Sequence, residues 1–231
     1  MLTIAVFGDS LGRGVFFDEG RGRYAILKDG FDRLMEGSGV ARFINRSRFG
    51  ATAAEGLAAF EEDPPLDADA VAIEFGGNDC TPDWKAASED PLTLHPARVG
   101  LEEFERTLSR FVGRVRDLGK VPVLVTPVPL VSERFVPWIS RGLDAGAILR
   151  FLGDVHRVYR WHEQYALAIH KVARLTRCNL FDLRAWFLKE RELGSLYCVD
   201  GMHPNGEGHR VIAHAAASDL PLLPAGPSVV S

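Results

Sequence analysis

Leu2-Thr3-Ile4-Ala5-Val6-Phe7 runs directly into Gly8-Asp9-Ser10-Leu11-Gly12. The first six residues are apolar almost throughout and do not alternate, which is the pattern of a strand buried on both faces of a parallel sheet. The turn that follows is bounded by glycines and carries an aspartate and a serine. A strand feeding such a turn is the opening unit of a βα repeat. Four more short runs match it: Ala41 to Asn45, Ala70 to Phe75, Val121 to Thr126 and Asn179 to Leu183.

Helical stretches are expected between them, over Tyr24 to Met35, Ala53 to Phe60, Arg98 to Leu118 and Trp161 to Thr176, with a last one from about Gly206 to Ser218. In the third, Leu101, Phe104, Leu108, Phe111, Val112 and Val115 fall on one stripe, the last turn is basic and Gly119 follows. The alternation predicts an α/β doubly wound sheet with right-handed crossovers. Two segments break it: Cys80 to Pro96, and Pro127 to Asp154 with a short helix near Ala147 to Leu152. Both read as long loops at the carboxyl ends of strands, where open α/β sheets bind ligands.

Composition narrows the function classes. The 231 residues carry a net charge of −4, and 46% are hydrophobic and 25% charged. A chain of this length buries roughly 70% of its unfolded surface and needs neither disulfides nor metal for a core. Twenty-two of the 27 basic residues are arginine, interspersed with acids, so no general basic field for nucleic acid is expected. Cys80, Cys178 and Cys198 are odd in number and lack C-x-x-C spacing, which argues against a disulfide framework or thiolate zinc site. No run reaches the ~18 apolar residues of a membrane span. With no signal peptide ahead of the first strand, the expected location is cytoplasmic. The organisation expected is one domain over 1–218 and a tail over 219–231.

Four blocks could carry chemistry. Gly8-Asp9-Ser10-Leu11-Gly12 is literally G-x-S-x-G, the pattern of a nucleophilic serine on a tight turn. It equally suits a helix N-cap or, less well, a phosphate loop. Asp200-Gly201-Met202-His203-Pro204 can bring a carboxylate to one imidazole nitrogen and leave the other facing Ser10, while Pro204 keeps His203 extended. Gly76-Gly77-Asn78-Asp79 offers close backbone approach and an amide donor for an oxyanion, although plain turn chemistry favours the same residues. Asn45-Arg46-Ser47-Arg48-Phe49-Gly50 follows the second strand, with Gly50 as a backbone donor.

Taken in order along the chain, these blocks resemble the GDSL, or SGNH, hydrolase family. The resemblance rests on Gly8-Asp9-Ser10-Leu11, Asn45 with Gly50, Gly76-Gly77-Asn78-Asp79 and Asp200-x-x-His203. It implies a three-layer α/β/α flavodoxin-like sandwich with five parallel strands in the order 2-1-3-4-5. It also implies Ser10 as nucleophile, His203 as general base and Asp200 as its orienter, with an oxyanion hole of the Ser10 and Gly50 N–H groups and the Asn78 side chain. The implied activity is a serine esterase acting on a small or medium ester, an O-acetylated carbohydrate among the candidates. A lysophospholipase or thioesterase is the alternative, as is a non-catalytic binding module on the same fold. No cofactor, metal or nucleic-acid partner is called for, and the oligomeric state, a homodimer included, stays open. His156, His162 and His170 read as surface or packing residues, and His209 and His214 are poorly spaced for a metal. Trp84, Trp138, Trp161 and Tyr165 are expected in or near segments that overhang the site.

Overall fold

The structure is a computed structural model that describes residues 2–37, 39 and 41–219. The tail expected over 219–231 therefore lies outside the described residues from 220 onward. Five parallel strands form the main sheet: β1 (Leu2–Gly8), β4 (Ala41–Asn45), β5 (Ala70–Glu74), β6 (Val121–Val125) and β7 (Asn179–Phe181). A separate antiparallel hairpin is made by β2 (Val15–Asp18) and β3 (Arg23–Ile26). Numbered along the chain, the sheet order is β4-β1-β5-β6-β7. It differs from the expected 2-1-3-4-5 because the hairpin enters the numbering between the first and second sheet strands.

Side chains of β1 alternate between two helical layers, as the period of a strand requires. Ala5 and Phe7 pack with Val71, Ile73 and Leu124 under α2 (Ala53–Glu62), α4 (Leu101–Asp117) and α7 (Arg157–Thr176). Ile4 and Val6 face the other way with Ala41 and Ala70. On that side α1 (Phe31–Gly37), α8 (Leu183–Leu188) and α9 (Gly206–Asp219) close over Val123 and Val125. α4 buries the expected stripe of Phe104, Leu108, Phe111, Val112 and Val115. Glu102 and Glu103 lie in its first turn and Arg114 and Arg116 in its last, each complementing the helix dipole.

The helix expected from Tyr24 to Met35 is a correction. Its first three residues belong to β3, and only Phe31–Gly37 is helical. The reversal at 19–22 is fixed by Asp18, whose carboxylate accepts the Arg21 N–H at 3.1 Å, and by Gly22 at φ 63°. The two long loops are also more ordered than expected. The first holds α3 (Trp84–Glu89), and the second holds α5 (Ser132–Ile139) and α6 (Ala145–Leu152). Phe135, Val136, Ile148 and Leu152 give these helices a small core of their own, joined by Trp84.

Candidate active site

The loops at the carboxyl ends of β1, β4, β5 and β6, with the one that precedes α9, meet over the sheet. Ser10 follows β1 in a turn whose backbone is pinned from below. Glu74, the last residue of β5, accepts the N–H of Asp9 and of Gly12 on Oε2, both at 3.2 Å. That close approach is what the two glycines serve. A Cβ at Gly8 would stand 2.6 Å from Glu74 Oε2, and one at Gly12 would stand 2.6 Å from Ser47 Oγ. Asn45 braces the same turn, its amide donating to Gly12 O at 2.7 Å.

His203 sits on the loop before α9. Its Nε2 lies 2.9 Å from Ser10 Oγ, and its Nδ1 lies 2.7 Å from Asp200 Oδ2. Asp200 is fully buried, and its other oxygen accepts the N–H of Met202 and of His203, both at 3.0 Å. Burial alone would raise its pKa. The hydrogen bond and charge of His203, with the two N–H donors, outweigh that and hold it below the ordinary value. An ionised Asp200 fixes the Nδ1–H tautomer of a neutral His203, which leaves Nε2 to accept from the serine hydroxyl. Gly201, at φ 70°, lets this loop dock on α5: a Cβ there would meet Val131 O at 2.6 Å. Tyr197 and Pro204 pair as an isolated β-bridge, which keeps the chain extended beside His203, as Pro204 had suggested.

Asn78 and Asp79 follow β5. Asn78 Nδ2 donates to Asp9 Oδ2 at 3.0 Å and to Ala51 O at 3.2 Å. Both acceptors face the nitrogen, so the amide is oriented with its donor side toward the Ser10 turn. Both hydrogens are engaged, and an incoming oxyanion would have to replace one acceptor. Gly50, at φ 75°, lies between Phe49, which stacks on the His203 ring, and Ala51. Its N–H donates to no acceptor among the described residues. Asp79 accepts the first N–H of α2, from Ala53 at 3.0 Å, and that of Gly76 at 3.2 Å. Burial raises its pKa to about 6 against the pull of the Ala53 N–H.

Two features escaped the sequence reading. The first is a buried acid pair. Glu74 and Asp9 are 3% and 5% exposed, and their side chains share a hydrogen bond. Burial, then the negative charge of Asp9, pushes Glu74 well above the carboxylate range. Burial also raises Asp9, but the Leu11 N–H, His203 and Asn78 draw it back. Glu74 is accordingly the proton carrier and Asp9 the acceptor. The second is an aromatic wall against His203. The hairpin register sets Phe17 opposite Tyr24, and the Tyr24 ring stands 5.0 Å from that of His203. Trp138 of α5 donates its indole N–H to Tyr24 Oη at 2.9 Å. Burial raises the Tyr24 pKa, followed by the negative charge of Asp200 nearby, so the phenol stays protonated. The signal for the wall was present in Val15-Phe16-Phe17 and Tyr24-Ala25-Ile26 flanking an Asp-Glu-Gly-Arg-Gly turn.

A cavity of about 110 Å³ opens beside Ser10, Asn78 and His203. Trp84, Pro127, Phe135, Val158, Trp161 and Met202 make its walls largely apolar. Of the four aromatics expected near the site, Trp84 and Trp161 line this cavity and Trp138 supports Tyr24. Tyr165 is buried and bonds Val99 O. The three cysteines are free thiols, all buried, with Cys198 accepting the Phe17 N–H and Cys80 donating to Gly77 O. Among the described residues no three His, Cys, Asp or Glu side chains are placed to share a metal ion, and no helix is long and apolar enough to cross a membrane.

Comparison with known proteins gives this arrangement its context. A sequence model of the GDSL-like lipase/acylhydrolase family matches residues 6–211. A bovine (Bos taurus) isoamyl acetate-hydrolyzing esterase 1 homolog is 30% identical over 147 residues, 62% of this chain and 52% of that protein. The chain thus spans about half the length of that curated relative. Among solved structures, a lipase/acylhydrolase from Enterococcus faecalis superposes with a TM-score of 0.67 at 18% identity, covering 99% of this chain and 100% of the other. An acetylxylan esterase from Geobacillus stearothermophilus gives 0.62 at 22% identity, covering 98% and 97%. These two likenesses concern the fold. The chain belongs to the GDSL-like lipase/acylhydrolase family.

Proposed function

We propose that this GDSL-family chain is a serine esterase that transfers short acyl groups to water, using Ser10 as nucleophile, His203 as general base and Asp200 as its orienter. Residues 1–218 are read as its one catalytic domain. The observation that carries the reading is the continuous chain from Ser10 Oγ through the imidazole to Asp200, with links of 2.9 and 2.7 Å. In the first step Oγ attacks the ester carbonyl as its proton passes to Nε2, and Asp200 stabilises the imidazolium. The tetrahedral oxyanion takes hydrogen bonds from the Ser10 and Gly50 N–H groups and from Asn78, which releases Ala51 O to do so. His203 then protonates the departing alcohol, and water, activated by the same imidazole, frees the acid.

The cavity favours small acyl groups. At about 110 Å³ it is smaller than the ~150 Å³ engineered cavity that holds a benzene, so four or so non-hydrogen atoms beyond the carbonyl would fill it. That supports acetyl to butanoyl esters over the long chains of a lysophospholipase, in keeping with the acetate and acetylxylan named for the relatives. On the alcohol side, Phe49 is 58% exposed beside His203 and offers a face for a sugar or alkyl group.

The test is a panel of p-nitrophenyl acyl esters and acetylated sugars, run on the wild type and on Ser10→Ala. Turnover is expected for acetate through butanoate, with a loss of about a thousandfold or more in the variant. No turnover of any member would replace the esterase reading with a binding module.

A further inference from the structure

The walls of the acyl cavity are largely apolar, but away from the Ser10–His203 pair they include one imidazole. His162, on α7, is 4% exposed and lines the cavity. Its Nδ1 stands 3.2 Å from Nη1 of Arg184, which also reaches Pro127 O. A guanidinium has no acceptor, so Nδ1 must be the unprotonated, accepting nitrogen, and the ring proton resides on Nε2. Arg184 is itself 3% exposed, ion-paired with Glu163 and laid over the Tyr159 ring, so it cannot swing away cheaply. Burial, followed by the charge of Arg184, lowers the His162 pKa to about 3, in agreement with a neutral ring. Nε2–H has no acceptor among the described residues, and His162 lines the cavity.

Resting on the esterase reading above, we propose that His162 Nε2–H is a specificity-determining donor for an oxygen on the acyl group itself, so that the preferred substrates are esters of short oxygenated acids, such as alkoxy, hydroxy or oxo acids. An unpaired donor on a largely apolar wall discriminates, because a plain alkyl chain displaces solvent from it and leaves it unpaired. Arg184, the cation beside His162, is already ion-paired with Glu163, which favours a neutral oxygen as the acceptor.

Methoxyacetyl and butanoyl esters are close to isosteric and differ by one ether oxygen. The ratio of their kcat/KM values, methoxyacetyl over butanoyl, is measured in the wild type, in His162→Phe and in His162→Gln. Comparing ratios between proteins cancels the intrinsic reactivity of the two esters. The expected ratio falls by about five- to tenfold in the phenylalanine variant, the value of one neutral hydrogen bond. Glutamine can accept from Arg184 and still donate, so it should keep at least half of the preference. An unchanged ratio in His162→Phe would overturn the proposal while leaving the esterase intact. Turnover of neither ester would overturn both. Should the phenylalanine variant not fold, ¹⁵N-histidine NMR of the wild type decides. Methyl methoxyacetate on Ser10→Ala-inactivated protein should shift the His162 Nε2 resonance where methyl butanoate does not, and equal responses would contradict the assignment.

Discussion

The two halves of the candidate site are held by different means. The Ser10 turn hangs from the sheet: Glu74 and Asp9 at the ends of two central strands take up its backbone N–H groups, and two glycines allow the approach. The His203 loop is held from the side by Tyr24 and Phe49 rings and by its docking on α5. The first support belongs to the core that any βα turn at this place would use. The second comes from a hairpin and a capping helix added to the sheet, with Phe49 from the loop after β4. Damage to the first should therefore unsettle fold and chemistry together, and damage to the second should affect chemistry alone.

Asp200→Asn is the largest expected break. An asparagine can keep the Met202 and His203 backbone donors on its oxygen, so the fold should survive. Its NH₂ would then face Nδ1 and force the proton onto Nε2, the wrong tautomer for accepting from Ser10. A loss of about a thousandfold or more in kcat at an unchanged Tm is predicted; a small loss would show that His203 needs no orienter.

Tyr24→Phe sharpens the contrast. Removing the hydroxyl takes a dipole from beside the Asp200 charge and leaves the Trp138 indole N–H without its acceptor. A three- to tenfold drop in kcat, about 1 kcal/mol, is expected with little change in KM or Tm. A fall in Tm with unchanged kcat would make the wall structural only.

Glu74→Gln should have the smallest effect on rate and the most telling effect on stability. Glutamine reproduces the protonated acid, accepting from Asp9 N–H and Gly12 N–H and donating to the Asp9 carboxylate. Because the Glu74 pKa is raised in the fold, the wild-type stability it confers is full below the unfolded value of about 4.3 and declines as pH rises through the folded value. The variant lacks that decline, so its stability relative to wild type should grow from pH 5 to pH 8 in denaturant titrations. A constant difference would mean that Glu74 is ionised in the fold.

These regions also differ in how far they could be read beforehand. The sheet, with its continuous apolar strands, and the long stripe of α4 are legible because their burial demands one period over many residues. Ser10, Asn78, Asp200 and His203 are legible because each follows a recognisable turn, and the structure brings Ser10, Asp200 and His203 within hydrogen-bonding reach of one another. Tyr24 was assigned to a helix, because a four-residue strand carries too short a pattern to be told from one. Its partner Trp138 is 114 residues away. Glu74 was passed over, and His162 was read only as a surface or packing residue, for a different reason. Each is an ordinary residue on a strand or helix, and only tertiary burial gives it a fixed proton.

The central claim is that the Ser10 hydroxyl, activated through His203, is the nucleophile. Intact-mass analysis after exposure to a fluorophosphonate probe tests it directly. The account predicts one stoichiometric adduct, mapped by peptide sequencing to Ser10, absent in Ser10→Ala and much slower to form in His203→Ala. An adduct that persists in Ser10→Ala, or maps to another residue, would contradict it.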